Sequence, residues 1–248
     1  MIRKSVEDTR KEFEKSFAEG ILYDRQTQDE NHRKMLIDSL HIFGVSSVLD
    51  LGTGTGYLAF PIAKQHKDCF VTGLDIVKDA LRRNEELAKK EKIENIEFVS
   101  YDGINIPFEN NSFDAVVTRY CLHHIIGMQD MFHEIYRILK PGGQLLLADP
   151  TPNAQDGDRF VDKYMQLKKD EHVRFYTKDE LVHMAGLAGL IYETSAMTKI
   201  RFPRIRTAEV DRLLQATNAS IKDLYEIEVR QKEVFITEDV LNLSFFKG

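Results

Sequence analysis

A carboxylate, Asp50, stands just before a stretch in which every second residue is glycine, Gly52-Thr53-Gly54-Thr55-Gly56. Glycine tolerates a positive φ and lets a ligand approach the main chain without a Cβ in the way. The apolar pair Val48-Leu49 precedes the stretch, and a helix-like apolar pattern begins at Tyr57. A strand, a tight turn and a helix N-terminus with unpaired N–H groups are therefore expected here. This pattern predicts a loop that binds a small ligand.

The glycine spacing and the charge of Asp50 indicate which ligand this loop binds. Dinucleotide sites favour the spacing G-x-G-x-x-G, with the helix N-terminus directed at a pyrophosphate. Here the spacing is G-x-G-x-G, and Tyr57 stands where a third glycine would be required. A carboxylate at the strand end repels pyrophosphate but attracts an ammonium or a sulfonium group, and S-adenosylmethionine carries both. The sequence therefore favours S-adenosylmethionine over NAD as the cofactor.

Two further carboxylates follow the next predicted strands. Asp75 ends the second strand, and Asp102 comes just after the third. Asp75 can accept hydrogen bonds from ribose hydroxyls, as NAD sites also do, so it does not by itself distinguish the two cofactors. Asp102 can accept a hydrogen bond from an adenine amino group. With Asp50 they predict a three-point frame for an adenosyl amino acid, and capping of a helix is the alternative role for each.

The segment after the fourth predicted strand carries Arg119, Tyr120, His123 and His124. In an open α/β sheet, ligands bind beyond the carboxyl ends of the strands, so these side chains should lie at the methyl-donor end of the cofactor. Histidine titrates near neutral pH and can remove a proton from a methyl acceptor. His123 is therefore the candidate catalytic residue, with packing at a helix start as the alternative for the pair. No metal site is expected, because no spacing here fixes a set of ligands.

The elements that position these groups follow from the apolar pattern. Short segments rich in β-branched and other apolar residues alternate with segments in which apolar residues recur at helical spacing. Such alternation predicts a parallel sheet covered by helices on both faces. The predicted strands are 46–51, 70–75, 95–99, 113–118 and 144–149, and the predicted helices between them are 56–66, 78–91 and 129–140.

The C-terminal part of the chain is less regular. Thr177 to Glu180 has the form of a capping box and predicts a helix that extends through Ala188. Strands are predicted at 190–197 and 240–246, with a helical segment within 207–232. That segment could also be a dimer surface, so the sequence leaves the formation of a homodimer open.

We expect one domain with an elaborated edge. Residues 1–44 form an N-terminal helical cap, 45–150 the cofactor-binding core, and 151–248 the rest of the same domain with the insertions that build the substrate pocket. Residues 1–28 and 156–175 are expected to cover the pocket, because a desolvated site requires a lid.

Composition narrows the class of protein. A chain of 248 residues that is 42% hydrophobic can bury a full core. Its net charge of −6 disfavours general binding to nucleic acid. The two cysteines, Cys69 and Cys121, are far apart, which is typical of a reduced, cytoplasmic protein. No apolar run reaches the length of a membrane span, so no membrane insertion is expected.

Taken together, the motifs resemble those of a known family. The chain is similar to the class I S-adenosylmethionine-dependent methyltransferases, in the methyltransferase type 11 branch that includes the ubiquinone- and menaquinone-biosynthesis enzymes. The resemblance covers residues 30–150 closely. The matching stretches are Val48–Gly56, Leu74-Asp75, Asp102 with Ile106-Pro107-Phe108, Ser112-Phe113-Asp114, Leu122-His123-His124 and Leu139–Gly143.

The resemblance implies a Rossmann-like α/β fold with a seven-stranded, mostly parallel sheet whose last strand is antiparallel. It also implies cofactor contacts from the glycine loop, from the acids that end the strands and from the backbone around Arg119. The cofactor-binding residues expected from the motifs and the resemblance are Asp50, Gly52, Thr53, Gly54, Gly56, Asp75, Ile76, Asp102, Gly103, Arg119 and Tyr120.

The function expected is transfer of a methyl group from S-adenosylmethionine to a small-molecule acceptor. A tRNA or rRNA methyltransferase, a protein that binds S-adenosylmethionine without catalysis, and a dehydrogenase are the alternatives. No motif specifies whether oxygen, nitrogen, carbon or sulfur is methylated.

Overall fold

The structure, a computed structural model, describes residues 2–18, 29–44, 46–168 and 172–248, and within the first range the side chains of residues 6–15. Parts of the two segments expected to cover the pocket, residues 19–28 and 169–171, lie outside the described residues.

Between residues 46 and 151 strands alternate with helices, except that the strands at 96–100 and 113–119 follow each other without a helix between them. The helices are α1 Ile2–Ala18, α2 Glu30–Asp38, α3 Ala59–Gln65, α4 Lys78–Glu91, α5 Met128–Ile138, α6 Phe160–Met165, α7 Lys178–Leu187, α8 Ala208–Ala216 and α9 Ala219–Leu224. The strands are β1 Ser46–Leu51, β2 Cys69–Asp75, β3 Ile96–Ser100, β4 Phe113–Arg119, β5 Leu139–Thr151, β6 Leu190–Ile205, β7 Glu228–Val229 and β8 Glu233–Lys247.

All these strands belong to one sheet. Its order is β3-β2-β1-β4-β5-β8-β6, and the short strand β7 pairs with β8. Strands β1 to β5 are parallel to one another, and β8 runs antiparallel to both β5 and β6. The predicted Rossmann-like fold with an antiparallel last strand is confirmed, and β7 is an additional strand that the sequence did not indicate.

The central strands are buried on both faces, as parallel strands covered by helices must be. Alternate residues of β1 therefore enter different cores: Val48 packs with Leu36 of α2 and Ile62 of α3, while Leu49 packs with Ile135 of α5 on the opposite face. This double burial explains why the neighbouring residues Val48 and Leu49 are both apolar. Asp50, which follows them, is buried at the edge where the carboxyl ends meet.

The C-terminal strands are longer than the sequence predicted. Strand β6 extends to Ile205 rather than ending at 197, and β8 begins at Glu233 rather than at 240. Their pairing extends from Leu190–Lys247 to Ile205–Glu233, with one register shift between Tyr192 and Thr194. Strand β6 lies at the edge of the sheet, and most of its residues are exposed. Because many of these exposed residues are polar, the sequence shows no apolar pattern that would predict the full length of the strand.

Other element ends also differ from the prediction. The helix expected from residue 56 begins at Ala59, because the glycine loop occupies the positions before it. Strand β5 starts at Leu139, directly after α5, rather than at 144. The predicted helical segment 207–232 contains α8, α9 and the short strand β7.

Candidate active site

The carboxyl ends of β1, β2, β4 and β5 border one cavity of about 450 Å³. A cavity of this size is in the range that binds small ligands. Most of the site residues predicted from the sequence lie in its wall. They are Asp50, Gly52, Thr53, Gly54, Asp75, Ile76, Gly103, Arg119, Tyr120 and His123.

The glycine loop turns sharply across the end of β1. The N–H groups of Gly52 and Thr53 donate to the carbonyl of Leu74, at 2.8 and 3.1 Å, which fixes the loop to the end of β2. Gly52 and Gly54 have φ values of +73° and +52°, and a Cβ on Gly52 would overlap the Sγ of Cys121. Glycine is therefore required at Gly52 by conformation and by space.

Asp50 is buried at the base of this loop. Its Oδ2 accepts hydrogen bonds from the Thr53 hydroxyl at 2.7 Å and from the Ala59 N–H at 3.1 Å. Burial raises the pKa of Asp50 to about 7, although these two hydrogen bonds oppose the shift. A buried carboxylate that lines a cavity is stabilised by a cationic ligand group.

Asp75 joins the loop to the end of β2. Its Oδ2 accepts from the Gly54 N–H at 2.8 Å and its Oδ1 from the Val77 N–H at 2.9 Å. Burial raises the pKa of this carboxyl, and the backbone hydrogen bonds oppose that shift. The predicted role, accepting from ribose hydroxyls, uses the same carboxylate, and Ile76 continues the cavity wall beside it.

Two residues of the predicted set are not among those that line the cavity. Asp102 is exposed, and its carboxylate caps a turn by accepting from the N–H groups of Ile104 and Asn105 at 2.9 and 2.8 Å. Gly56 has a φ of +75° and packs against Phe60. No helix follows Asp102, so these hydrogen bonds hold its own turn rather than cap a helix, the alternative that the sequence offered. The contact of Asp102 with an adenine amino group stays a prediction.

Arg119 and Tyr120 contribute a cation and an aromatic ring to the cavity wall. The Cζ of Arg119 lies 3.8 Å from the ring centroid of Tyr120 and 4.6 Å from that of Tyr57. Tyr120 has a φ of +55°, which is rare for a bulky side chain, and its N–H donates to Ala148 of β5 at 2.8 Å. This left-handed turn places both side chains at the cavity.

His123 is held by Asp149, the residue near the end of β5. The Nδ1 atom of His123 lies 2.9 Å from Asp149 Oδ2, and the backbone N–H of His123 donates to the same oxygen at 3.1 Å. Both side chains are buried, and burial raises the pKa of Asp149 to about 7. The His123 ring also meets Phe175 edge to face, with centroids 5.1 Å apart. The sequence did not predict Asp149 as a partner, although its place after a strand was a signal.

Helix α1 also contributes to the cavity wall. Val6, Thr9 and Phe13 line it, and the Phe13 ring meets His124 edge to face at 4.9 Å. A Cβ on Gly103 would lie 2.5 Å from Val6 Cγ1, so the helix lies directly on this loop. The described parts of both predicted cover segments therefore border the cavity, and their opening and closing stays a prediction.

The polar groups at this end of the cavity fit S-adenosylmethionine. Asp50 matches an ammonium group, Arg119 matches a carboxylate, and Asp75 matches a pair of hydroxyls. A pyrophosphate would instead face the carboxylates of Asp50 and Asp75. The chemistry of the donor set thus agrees with an adenosyl amino acid.

The fold and this site define an α/β methyltransferase, and comparison with known proteins agrees. The family model described as a methyltransferase domain matches residues 44–218. The chain therefore belongs to this family. Membership confirms the resemblance found in the sequence, the enzyme class and S-adenosylmethionine as the cofactor.

The chain is also similar to individual methyltransferases. It is 28% identical over 181 residues to an uncharacterized methyltransferase, YcgJ, of Bacillus subtilis, a match that covers 73% of this chain and 67% of that one. It is 33% identical over 129 residues to the ubiquinone/menaquinone biosynthesis C-methyltransferase UbiE of Desulfotalea psychrophila, covering 52% and 51%. The chain thus spans about half of the latter relative's length.

The solved structure of YcgJ from Bacillus subtilis has the same fold. It superposes with a TM-score of 0.77 at 22% identity, over 88% of this chain and 99% of that one. Within the described ranges, no helix is long and apolar enough to cross a membrane, and no group of three or more histidine, cysteine or acidic residues could hold a metal ion.

Proposed function

We propose that the protein transfers the methyl group of S-adenosylmethionine to a small-molecule acceptor that enters the same cavity. The observation that carries this proposal is the placement of Asp50, Asp75 and Arg119 on one wall, next to the His123–Asp149 pair. The first three match the charged and hydroxyl groups of the cofactor, and the pair is a group that can accept a proton.

Three charged side chains of the cavity wall bind different groups of the cofactor. Asp50 binds the ammonium group, Arg119 the carboxylate, and Asp75 the ribose hydroxyls. The backbone of Gly52 and Gly54 allows close approach, since neither residue presents a side chain.

Bound S-adenosylmethionine would supply an activated methyl group for in-line displacement, in which the acceptor atom bonds to the methyl carbon, the carbon–sulfur bond breaks and S-adenosylhomocysteine leaves. The protein aligns the acceptor and excludes water, and alignment alone can contribute about 7–11 kcal/mol to lowering the barrier. His123 takes the proton from an O–H or N–H acceptor at Nε2, while Asp149 holds Nδ1 and stabilises the charge that the ring gains.

A small-molecule acceptor is favoured over RNA. The net charge of −6 offers no overall attraction to a polyanion. The curated relative UbiE is named for a C-methyltransferase of quinone biosynthesis, which supports a small acceptor without identifying it. The free cysteines Cys69 and Cys121 support a reducing, cytoplasmic location.

Isothermal titration calorimetry tests the cofactor part of this proposal. S-adenosylhomocysteine should bind the protein with a 1:1 stoichiometry, and NAD should give no heat. An Asp50→Asn variant should bind S-adenosylhomocysteine more weakly, because the ammonium group loses its counter-charge. Binding of NAD in preference to S-adenosylhomocysteine would overturn the proposal.

A further inference from the structure

Two buried polar side chains line the cavity, and the proposed binding of the cofactor uses neither of them. Glu238 on β8 is 1% exposed, and its Oε1 atom has no hydrogen-bond partner among the described residues. Tyr164 on α6 is also 1% exposed, and its hydroxyl likewise finds no partner within the described ranges. Both residues line the cavity. An unpaired buried polar group costs free energy, so each of these atoms calls for a partner in the functional state.

These two side chains lie in the part of the cavity formed by α6, β6 and β8. Their neighbours in the wall include Met165, Ile200 and Phe202, all of which are buried and apolar. Burial raises the pKa of Tyr164 to about 12, and the negative charge of Glu238 also raises it. This region is therefore an apolar chamber with a small polar end.

Positive charge lies beside the same polar end. The guanidinium Cζ of Arg204 is 5.5 Å from the ring centroid of Phe202 and 6.0 Å from that of Tyr164. Arg204 and Lys168 also line the cavity, and both favour the ionised form of Glu238. A cationic amine placed between Glu238 and Tyr164 would meet repulsion from these two residues, whereas a neutral group would not.

We propose that Glu238 and Tyr164 form the polar end of the methyl-acceptor subsite and bind a hydroxyl group carried on an apolar body. A hydroxyl is both donor and acceptor, so it donates to Glu238 Oε1 and accepts from the Tyr164 O–H, which satisfies both atoms at once. The apolar walls take the rest of the molecule. This inference rests on the proposed function, because it assigns the methyl acceptor to the part of the cavity formed by α6, β6 and β8.

Thermal stability distinguishes a functional role of Glu238 from a structural one. A buried carboxyl without a partner destabilises the fold, so replacing it with an apolar side chain of similar length should stabilise the protein. We expect the Glu238→Met variant to have a midpoint of thermal unfolding higher by about 2–4 °C or more. Glu233→Met, on the same strand but exposed and outside the cavity, is the matched control and should leave the midpoint unchanged.

Ligand binding is tested with three probes that share one apolar body. They are 2-naphthol, which carries a hydroxyl, 2-methoxynaphthalene, in which that donor is capped, and 2-naphthylmethylamine, which is cationic at neutral pH. Dissociation constants are measured by ligand-observed NMR on the protein loaded with S-adenosylhomocysteine. We expect 2-naphthol to bind wild type about 10-fold more tightly than either of the others, because only its hydroxyl forms both buried hydrogen bonds.

The variants test whether Glu238 and Tyr164 cause the preference for 2-naphthol. Glu238→Met and Tyr164→Phe should each lose the preference for 2-naphthol, while Glu233→Met keeps it and all three bind S-adenosylhomocysteine as wild type does. A preference for the amine, equal binding of the three probes to wild type, or a preference that survives in Glu238→Met overturns the inference and leaves the proposed function intact. Failure of S-adenosylhomocysteine to bind wild type would instead refute the proposed function itself.

Discussion

At the scale of the residue, Asp75 links the cofactor to the loop that holds it. Its two oxygens accept from the N–H groups of Gly54 and Val77. Asp75→Ala should weaken binding of S-adenosylhomocysteine by about 1–3 kcal/mol, because the ribose loses a charged hydrogen-bonding partner. Calorimetry measures this, with Asp79→Ala as a control, since Asp79 is exposed on α4. Unchanged affinity in Asp75→Ala would show that the ribose lies elsewhere.

The His123–Asp149 pair gives a second prediction at this scale. If His123 accepts the proton of the acceptor, His123→Gln should lower kcat by about 10²–10⁴-fold with little change in cofactor affinity. Asp149→Asn should lower kcat as well, because the ring loses the carboxylate that holds Nδ1. His133→Gln, on an exposed face of α5, serves as the control. A kcat within twofold of wild type in His123→Gln would rule out general-base catalysis by this residue.

Single residues differ in how far the sequence reveals them. Asp50, Gly52 and Gly54 were predicted because a few consecutive positions contain the whole pattern. Asp149 and Glu238 were not, because their importance depends on partners far away in the chain: Asp149 meets His123 across two strand ends, and Glu238 lies opposite Ile200 of β6. Burial of an acid can be read from a structure, but no local spacing encodes it.

At the scale of the element, the glycine loop depends on space as well as on conformation. Gly56 and Gly142 have nearly the same φ, +75° and +76°, but a Cβ on Gly56 would lie 2.5 Å from Phe60 Cδ2, whereas one on Gly142 would meet nothing within 4 Å. Gly142→Ala should cost about 1–2 kcal/mol of unfolding free energy, and Gly56→Ala about 1–3 kcal/mol more.

Urea unfolding of the two glycine variants measures this difference. Because both glycines carry the same conformational cost, the comparison isolates the crowding against Phe60. Equal destabilisation of Gly56→Ala and Gly142→Ala would mean that Phe60 moves aside and that the close packing behind the loop contributes nothing.

The elements of the parallel half were predictable and those of the antiparallel half were only partly so. Strands β1, β2 and β4 are buried on both faces, and their continuous apolar runs set them apart from the helices between them. Strand β6 has an exposed face along most of its length, so only its first half stood out. The residues of the proposed methyl-acceptor subsite come largely from this antiparallel half, which was harder to predict from the sequence.

At the scale of the whole molecule, the buried acids make stability depend on pH. Burial raises the pKa of Asp50 and Asp149 to about 7 and that of Glu238 to about 8. In the unfolded chain these groups titrate near pH 4. Between pH 4 and the raised pKa values the folded protein keeps protons that the unfolded chain has lost, so unfolding becomes easier as the pH rises, and the effect levels off above pH 8.

The midpoint of thermal unfolding, without cofactor, should therefore fall between pH 6.5 and pH 8.5. Burial lowers the pKa of His32, so this residue makes the stability rise with pH, but only at lower pH. The range therefore starts at pH 6.5. Glu238→Met should reduce the slope. A midpoint that rises with pH over this range would contradict the assignment of these acids as buried and protonated.

Transfer of a labelled methyl group tests whether the protein is a methyltransferase with a small-molecule acceptor. The protein is incubated with S-adenosylmethionine labelled in its methyl group and with a cell extract separated into small-molecule and RNA fractions. The account predicts that label enters a compound of the small-molecule fraction, with an equal amount of S-adenosylhomocysteine formed, and that Asp75→Ala slows this transfer. Label found only in RNA, or no transfer to either fraction, would contradict it.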